Sequence, residues 1–177
     1  ICGLADSSTT VNKNQGQRIN IDPYVTYQAP GGAKHTLRTR WFRSQNLIPE
    51  KQQTSTADTY FGEYQFSKPV DGDALMLRHL NIVAGISSSY SHVVGDLFGQ
   101  HDIFNLAPYA QLEKKFNHLW TSIGGRYEVN QVDQYAVEKK PVFRAGLNYE
   151  LDKATFLRAS FGQGYRYPSV AERFVNT

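Results

Sequence analysis

No run of apolar residues in this sequence approaches the roughly 18 that a membrane-crossing helix needs, which excludes a helical span. Cysteine is nearly missing: Cys2 stands alone among 177 residues, so neither an internal disulfide nor a C-x-x-C metal or redox pair exists. Charge of one sign is missing too. Nineteen basic residues are interleaved with sixteen acidic ones for a formal net charge of +3, and no basic block marks a nucleic-acid-binding arm. Catalytic signatures are likewise lacking: G-x-S-x-G, H-E-x-x-H and the P-loop do not occur. "GQGYRY" lacks the third glycine of the dinucleotide fingerprint and sits in a strand pattern. These absences point away from an enzyme and imply no cofactor. The chain opens "ICGLADSSTT", without the basic start and apolar core of a secretory leader, and reads as an internal piece of something longer.

What is abundant is period-two alternation rich in Tyr, Phe, Val, Ile and Thr, in eight runs spaced by about 22 residues. The runs are Arg18 to Gln28, Lys34 to Arg43, Thr59 to Phe66, Leu80 to Tyr90, Phe104 to Lys115, Leu119 to Val129, Val142 to Leu151 and Thr155 to Gly162. Several reach the roughly 9 to 11 residues with which a tilted strand crosses a bilayer, whereas strands of soluble sandwiches are nearer five or six. The connections alternate as well. "APGG", "FNH" and "DKA" are short, while "SQNLIPEKQQTSTAD", "SHVVGDLFGQHD" and "NQVDQYAVEKKP" are long and polar, as in an up-and-down outer-membrane sheet. Only "SKPVDGDALMLRH" is longer than that pattern expects.

Side-chain parity assigns the faces. In "VFRAGLNYEL", Phe143, Ala145, Leu147, Tyr149 and Leu151 oppose Arg144, Gly146, Asn148 and Glu150. Leu157, Ala159 and Phe161 oppose Arg158, Ser160 and Gly162; Leu119, Ile123, Tyr127 and Val129 oppose Ser122, Gly124, Arg126 and Glu128. Neighbouring strands must put like faces together, so the turn between Leu151 and Thr155 should hold an odd number of residues, naturally three. The turn around Phe116 and Asn117 should hold an even number. A slip of one residue would carry Arg144 or Arg158 into lipid, at a cost of about 2 to 4 kcal/mol near the midplane.

The last seventy or so residues carry a series of motifs in order: Tyr109, Gln111 and Glu113; "GGRYE", Gly124 to Glu128; "RAGLNY", Arg144 to Tyr149; and "LRASFGQGYRYPSVAE", Leu157 to Glu172. This series resembles the barrel of TonB-dependent outer-membrane receptors; the first hundred residues agree only in style. Tyr167 departs from it, since the family usually has alanine before the proline. The resemblance implies an all-β, antiparallel transmembrane segment of about eight strands, residues 1–177, within a larger barrel of 22-strand type. It implies a receptor in the outer membrane of a Gram-negative bacterium, importing a siderophore, haem, cobalamin or glycan with TonB-supplied energy. The partners implied are outer-membrane lipid, the receptor's own plug, the TonB complex and a small nutrient; plug and TonB box are expected upstream. Arg126, Glu128, Arg144, Arg158, Arg166, Pro168, Ser169 and Glu172 are implied to face the lumen or plug in structural roles. A complete eight-stranded barrel or adhesin, and a soluble ligand-binding β-sandwich, are the alternatives.

Local chemistry supports a break at the end of the last run. Pro168 has no N–H for a ladder and biases Tyr167 to an extended form, Gly162 and Gly164 let the chain bend, and Ser169 with Glu172 has capping-box spacing. Arg38, Arg40 and Arg43 are too few for a nucleic-acid footprint and are expected to line the lumen. His92, Asp96, His101 and Asp102 have residue types that suit a transition metal, but a polar loop is rich in such residues anyway, and no metal is expected.

Overall fold

The computed structural model describes residues 14–49, 53–70, 72 and 78–174. These form a single antiparallel sheet: β1 (Gln15–Ile21), β2 (Tyr24–Gln28), β3 (Lys34–Ile48), β4 (Gln53–Val70), β5 (Leu80–Gly95), β6 (Gly99–Phe116), β7 (Leu119–Val132), β8 (Glu138–Asp152) and β9 (Thr155–Gly162). One short helix, α1 (Val170–Phe174), follows. From β3 onward each strand pairs with its sequence neighbour, and β1 and β2 both pair with β3. The sheet is open, because β1 and β9 are its two ends and do not pair with each other.

The first run is split into two strands by chemistry rather than by register. Ile21 lies opposite Trp41 and Tyr24 opposite Arg38, which is one continuous alignment. Pro23 has no N–H to give, yet its carbonyl still accepts the Thr39 N–H at 2.9 Å, and Asp22 pairs with Arg40 at 2.5 Å.

Three hairpins are longer than the apolar alternation suggests. Pairing continues to Ile48 opposite Gln53, Gly95 opposite Gly99, and Asn130 opposite Glu138, so most of each "long polar connection" is strand. Backbone hydrogen bonding does not need an apolar face; it needs only extended backbone, so a ladder can run on past the bilayer where the side chains turn polar. The β6–β7 turn has the two residues Asn117 and His118, with Asn117 at φ 45°. Between β8 and β9 the loop holds two residues, Lys153 and Ala154, and the odd residue that parity demands is absorbed by a bulge at Leu151, where the register shifts between Glu150 and Asp152. Asp152 accepts from the Ala154 N–H at 2.8 Å and so holds that turn.

One hydrogen-bonded row shows the tilt. It passes from Gln28 at the turn end of β2 through Lys34, Ser67, Val83, Gln111, Gly124 and Arg144 to Gly162, at the opposite end of β9. A row that climbs from one end to the other over seven pairings is the stagger of a sheet curling toward a barrel wall. With one layer there is little core: Ala107, Val132 and Val170 are the buried hydrophobic residues among those described. Ile123, Leu157 and Phe161, each more than 60% exposed, sit on the apolar face that lipid covers.

Candidate functional site

The polar face is built by register. Arg126 lies beside Val142, Gly124 beside Arg144, and Asn148 beside Arg158, so Arg126, Arg144 and Arg158 share a face opposite Tyr127, Leu147 and Phe161. Across strands this face carries three clusters of polar contacts. Arg38 pairs with Glu63 at 3.5 Å, and Tyr109 donates its hydroxyl to Glu63 at 2.8 Å. Arg126 bonds Glu128 and, at 3.0 Å, the Ser87 hydroxyl; Asn105 donates to Glu128 at 3.0 Å. Arg144 bonds Gln111, Gln111 bonds Glu113, and Asn81 donates to Glu113 at 3.1 Å. Arg38 and Arg126 are thus neutralised by Glu63 and Glu128, while Arg144 and Glu113 are bridged through the neutral Gln111 amide, and Arg38, Glu63, Tyr109, Arg126, Arg144 and Gln163 line a shallow basin in the middle of this face. Gly85 makes room for this: a Cβ there would come within 2.5 Å of the Tyr109 ring and 2.6 Å of the Tyr64 carbonyl. Arg158 lies on the same face, nearer the turn end, and is not part of the basin.

Arg40 also belongs to the polar face, but Arg43 does not. An odd number of residues separates the sides of a strand, so Arg43 projects from the other face near the loop end, where Asp58 pairs with it at 3.9 Å. The expectation that all three arginines line the lumen is therefore corrected for Arg43.

Beyond Gly162 the chain leaves the wall. Gln163 extends the ladder by one pair: its N–H donates to the Phe143 carbonyl at 3.0 Å, and its side-chain oxygen accepts from the Phe143 N–H at 3.1 Å. Arg166 then pairs with Glu172 at 2.5 Å. Ser169 and Glu172 close a capping box: the Ser169 N–H donates to the Glu172 carboxylate at 2.7 Å and the Glu172 N–H to the Ser169 hydroxyl at 3.3 Å. The Ser169 amide, followed by the Arg166 guanidinium, pulls the Glu172 carboxyl down to about 2. Tyr165 and Tyr167 meet edge to face at 4.8 Å, and the Tyr167 hydroxyl is buried without a hydrogen-bond partner.

The helix lands on hairpin ends that are distant in sequence. Arg173 bonds Glu138, and the Phe174 ring stacks on His101 with centroids 3.8 Å apart and planes 11° off parallel, with Tyr135 at 5.8 Å. His101 in turn meets Asp133 at 2.7 Å and the Phe98 carbonyl at 2.6 Å. Asp133, Glu138, Tyr135 and Phe174 carry no motif that marks them in the sequence; only the fold brings them together.

The four residues considered for a metal are split up. His92 and Asp102 pair with each other at 2.7 Å, with Tyr90 also donating to Asp102; Asp96 accepts from the Thr54 N–H at 2.6 Å; His101 turns to Asp133. Parity again decides this, since His92 and His101 stand on opposite faces, and among the described residues no three His, Cys, Asp or Glu side chains are placed to hold a metal.

The geometry agrees with comparisons to known proteins. Residues 4–177 match a family described as TonB dependent receptor-like, beta-barrel. No curated protein matches. A similar solved structure is the alcaligin outer-membrane receptor FauA from Bordetella pertussis, at 14% identity and a TM-score of 0.64, covering 84% of this chain and 29% of that one. The chain thus spans less than a third of that receptor's length, and the likeness concerns the fold. The family is one of receptors rather than enzymes. The chain belongs to the TonB-dependent receptor family and forms part of its β-barrel wall in the outer membrane of a Gram-negative bacterium.

Proposed function

We propose that this wall segment serves a receptor that binds a scarce nutrient at the cell surface and imports it with energy delivered through the TonB complex. The observation that carries this reading is the set of three cross-strand polar clusters, centred on Glu63, Arg126 and Gln111, that together cover the face away from lipid. Such a face suits an inner wall: its charged groups are ion-paired or hydrogen-bonded, so it can meet a polar plug or pass a polar solute. In this reading Arg126, Glu128, Arg144 and Arg158 face the lumen and plug, while Arg166, Pro168, Ser169 and Glu172 shape the mouth. The plug and the TonB-contacting segment are contributed by other parts of the full-length protein, and lipid covers the opposite face.

A siderophore, haem, cobalamin or a glycan is the solute class, and FauA's naming as an alcaligin receptor puts iron chelates first in order of testing. Deleting the gene for the full-length receptor and measuring uptake of each labelled solute tests the reading. Uptake of one solute should disappear, return on complementation and again fail when TonB is inactivated. Unchanged uptake of all four classes would overturn it.

A further inference from the structure

The contact between α1 and the hairpin ends is built around a titratable ring. His101 stands two residues inside the loop end of β6, in the part of the strand that runs on past the apolar alternation of Phe104 to Lys115. Both of its ring nitrogens point at acceptors: Nδ1 at the Asp133 carboxylate, 2.7 Å away, and Nε2 at the Phe98 carbonyl, 2.6 Å away. A neutral imidazole has one N–H and can satisfy only one of them; the doubly protonated ring satisfies both. The face of that ring is what Phe174 stacks on, and the negative π-face of a phenyl ring attracts a cation. The other polar groups around the ring are Asp102, next in β6 and facing the other way toward His92; Tyr135 in the β7–β8 connection; and Glu138 with Arg173, which bond each other.

We propose that His101 is a proton-operated latch for the segment after β9: its imidazolium form seats Phe174 and holds α1 across the polar face at the loop end, and loss of a proton releases it. In the neutral form one of the two short contacts sets a lone pair against an oxygen. The hairpin end must then shift, and with it the flat seat that Phe174 occupies. The hydrogen bond to Asp133, opposed by burial and assisted by the Phe98 carbonyl, raises the His101 pKa above its ordinary 6.5. A raised folded-state pKa means that the hairpin-end arrangement forming the seat, with both ring nitrogens satisfied, is favoured below the ordinary value and loses that advantage as pH rises through the raised one. The segment would thus close over the barrel mouth in acid and open in alkali, a property separate from which solute is carried.

Hydrogen exchange at residues 170–174 of the full-length receptor in detergent micelles, corrected for the intrinsic rate and followed between about pH 5 and 9, reads the latch directly. Protection should fall along the titration of His101, followed in parallel by imidazole NMR. His101→Phe keeps an aromatic seat without a proton and should flatten the profile. Asp133→Asn, which retains the ring, should move the midpoint to lower pH and decides the matter if the first variant does not fold. A flat profile in the unmodified receptor, or the same step in either variant, would overturn the latch.

Discussion

At the residue scale, the segment after β9 shows how a few side chains hold a short helix that has no length to stabilise itself. Five residues are far below what an isolated helix needs in water, so α1 depends on its cap and its docking. Ser169→Ala removes the hydroxyl that accepts the Glu172 N–H, and should cost about fivefold in exchange protection at residues 170–174. Glu172 sets an acid limit. Its carboxyl is depressed to about 2 from an ordinary 4.5, so the carboxylate contributes fully above the ordinary value and is lost as pH falls toward the depressed one. Protection should therefore hold on the acid side down to about pH 4.5 and decline between there and about pH 2. Glu172→Gln should abolish that decline while leaving any change near neutrality in place, which exchange measurements on the same peptides will show.

At the element scale, β8 and β9 are defined by which face each residue is given. Leu147 is half exposed on the face that lipid covers, with Ala159 beside it, while Asn148 points the other way. Leu147→Arg should destabilise the folded barrel by about 2 to 4 kcal/mol if it lies near the midplane, and Asn148→Arg by far less. Urea unfolding of the full-length receptor in phospholipid vesicles separates the two; equal costs would mean that the faces are assigned wrongly. The bulge at Leu151 belongs to the same logic. It lets a tight two-residue turn, braced by Asp152, join strands whose faces would otherwise be out of step.

At the scale of the whole molecule, the open sheet exposes two liabilities: unpaired edges along β1–β2 and β9, and an apolar face built for lipid. The climbing row from Gln28 to Gly162 gives the sheet the stagger of a wide barrel, and its polar face carries Arg, Glu and Asn side chains too large to fill a narrow one. Separated from further strands, the 177-residue chain in water should associate through its edges rather than remain a monomer. Light scattering coupled to size exclusion checks this, and a clean monomer without detergent would mean that the edges close on one another.

The sequence by itself determined the features that depend on neighbours along the chain. Alternation of Phe143, Leu147 and Tyr149 with Arg144, Asn148 and Glu150 assigns the faces because successive side chains on a strand must point to opposite sides. Ser169 and Glu172 announce their capping box because three residues make one helical turn. Parity also places Arg43 away from Arg38 and Arg40, a consequence available from the spacing alone. The reach of the hairpins was hidden, since hydrogen bonding between strands outlasts the apolar pattern once the strands leave the bilayer. Only the tertiary structure decided that His101 meets Asp133 and Phe174, and that Arg173 meets Glu138. Those meetings are set by strand stagger and by the fold-back after Gly162, which sum small displacements over many strands, and no local spacing encodes that sum.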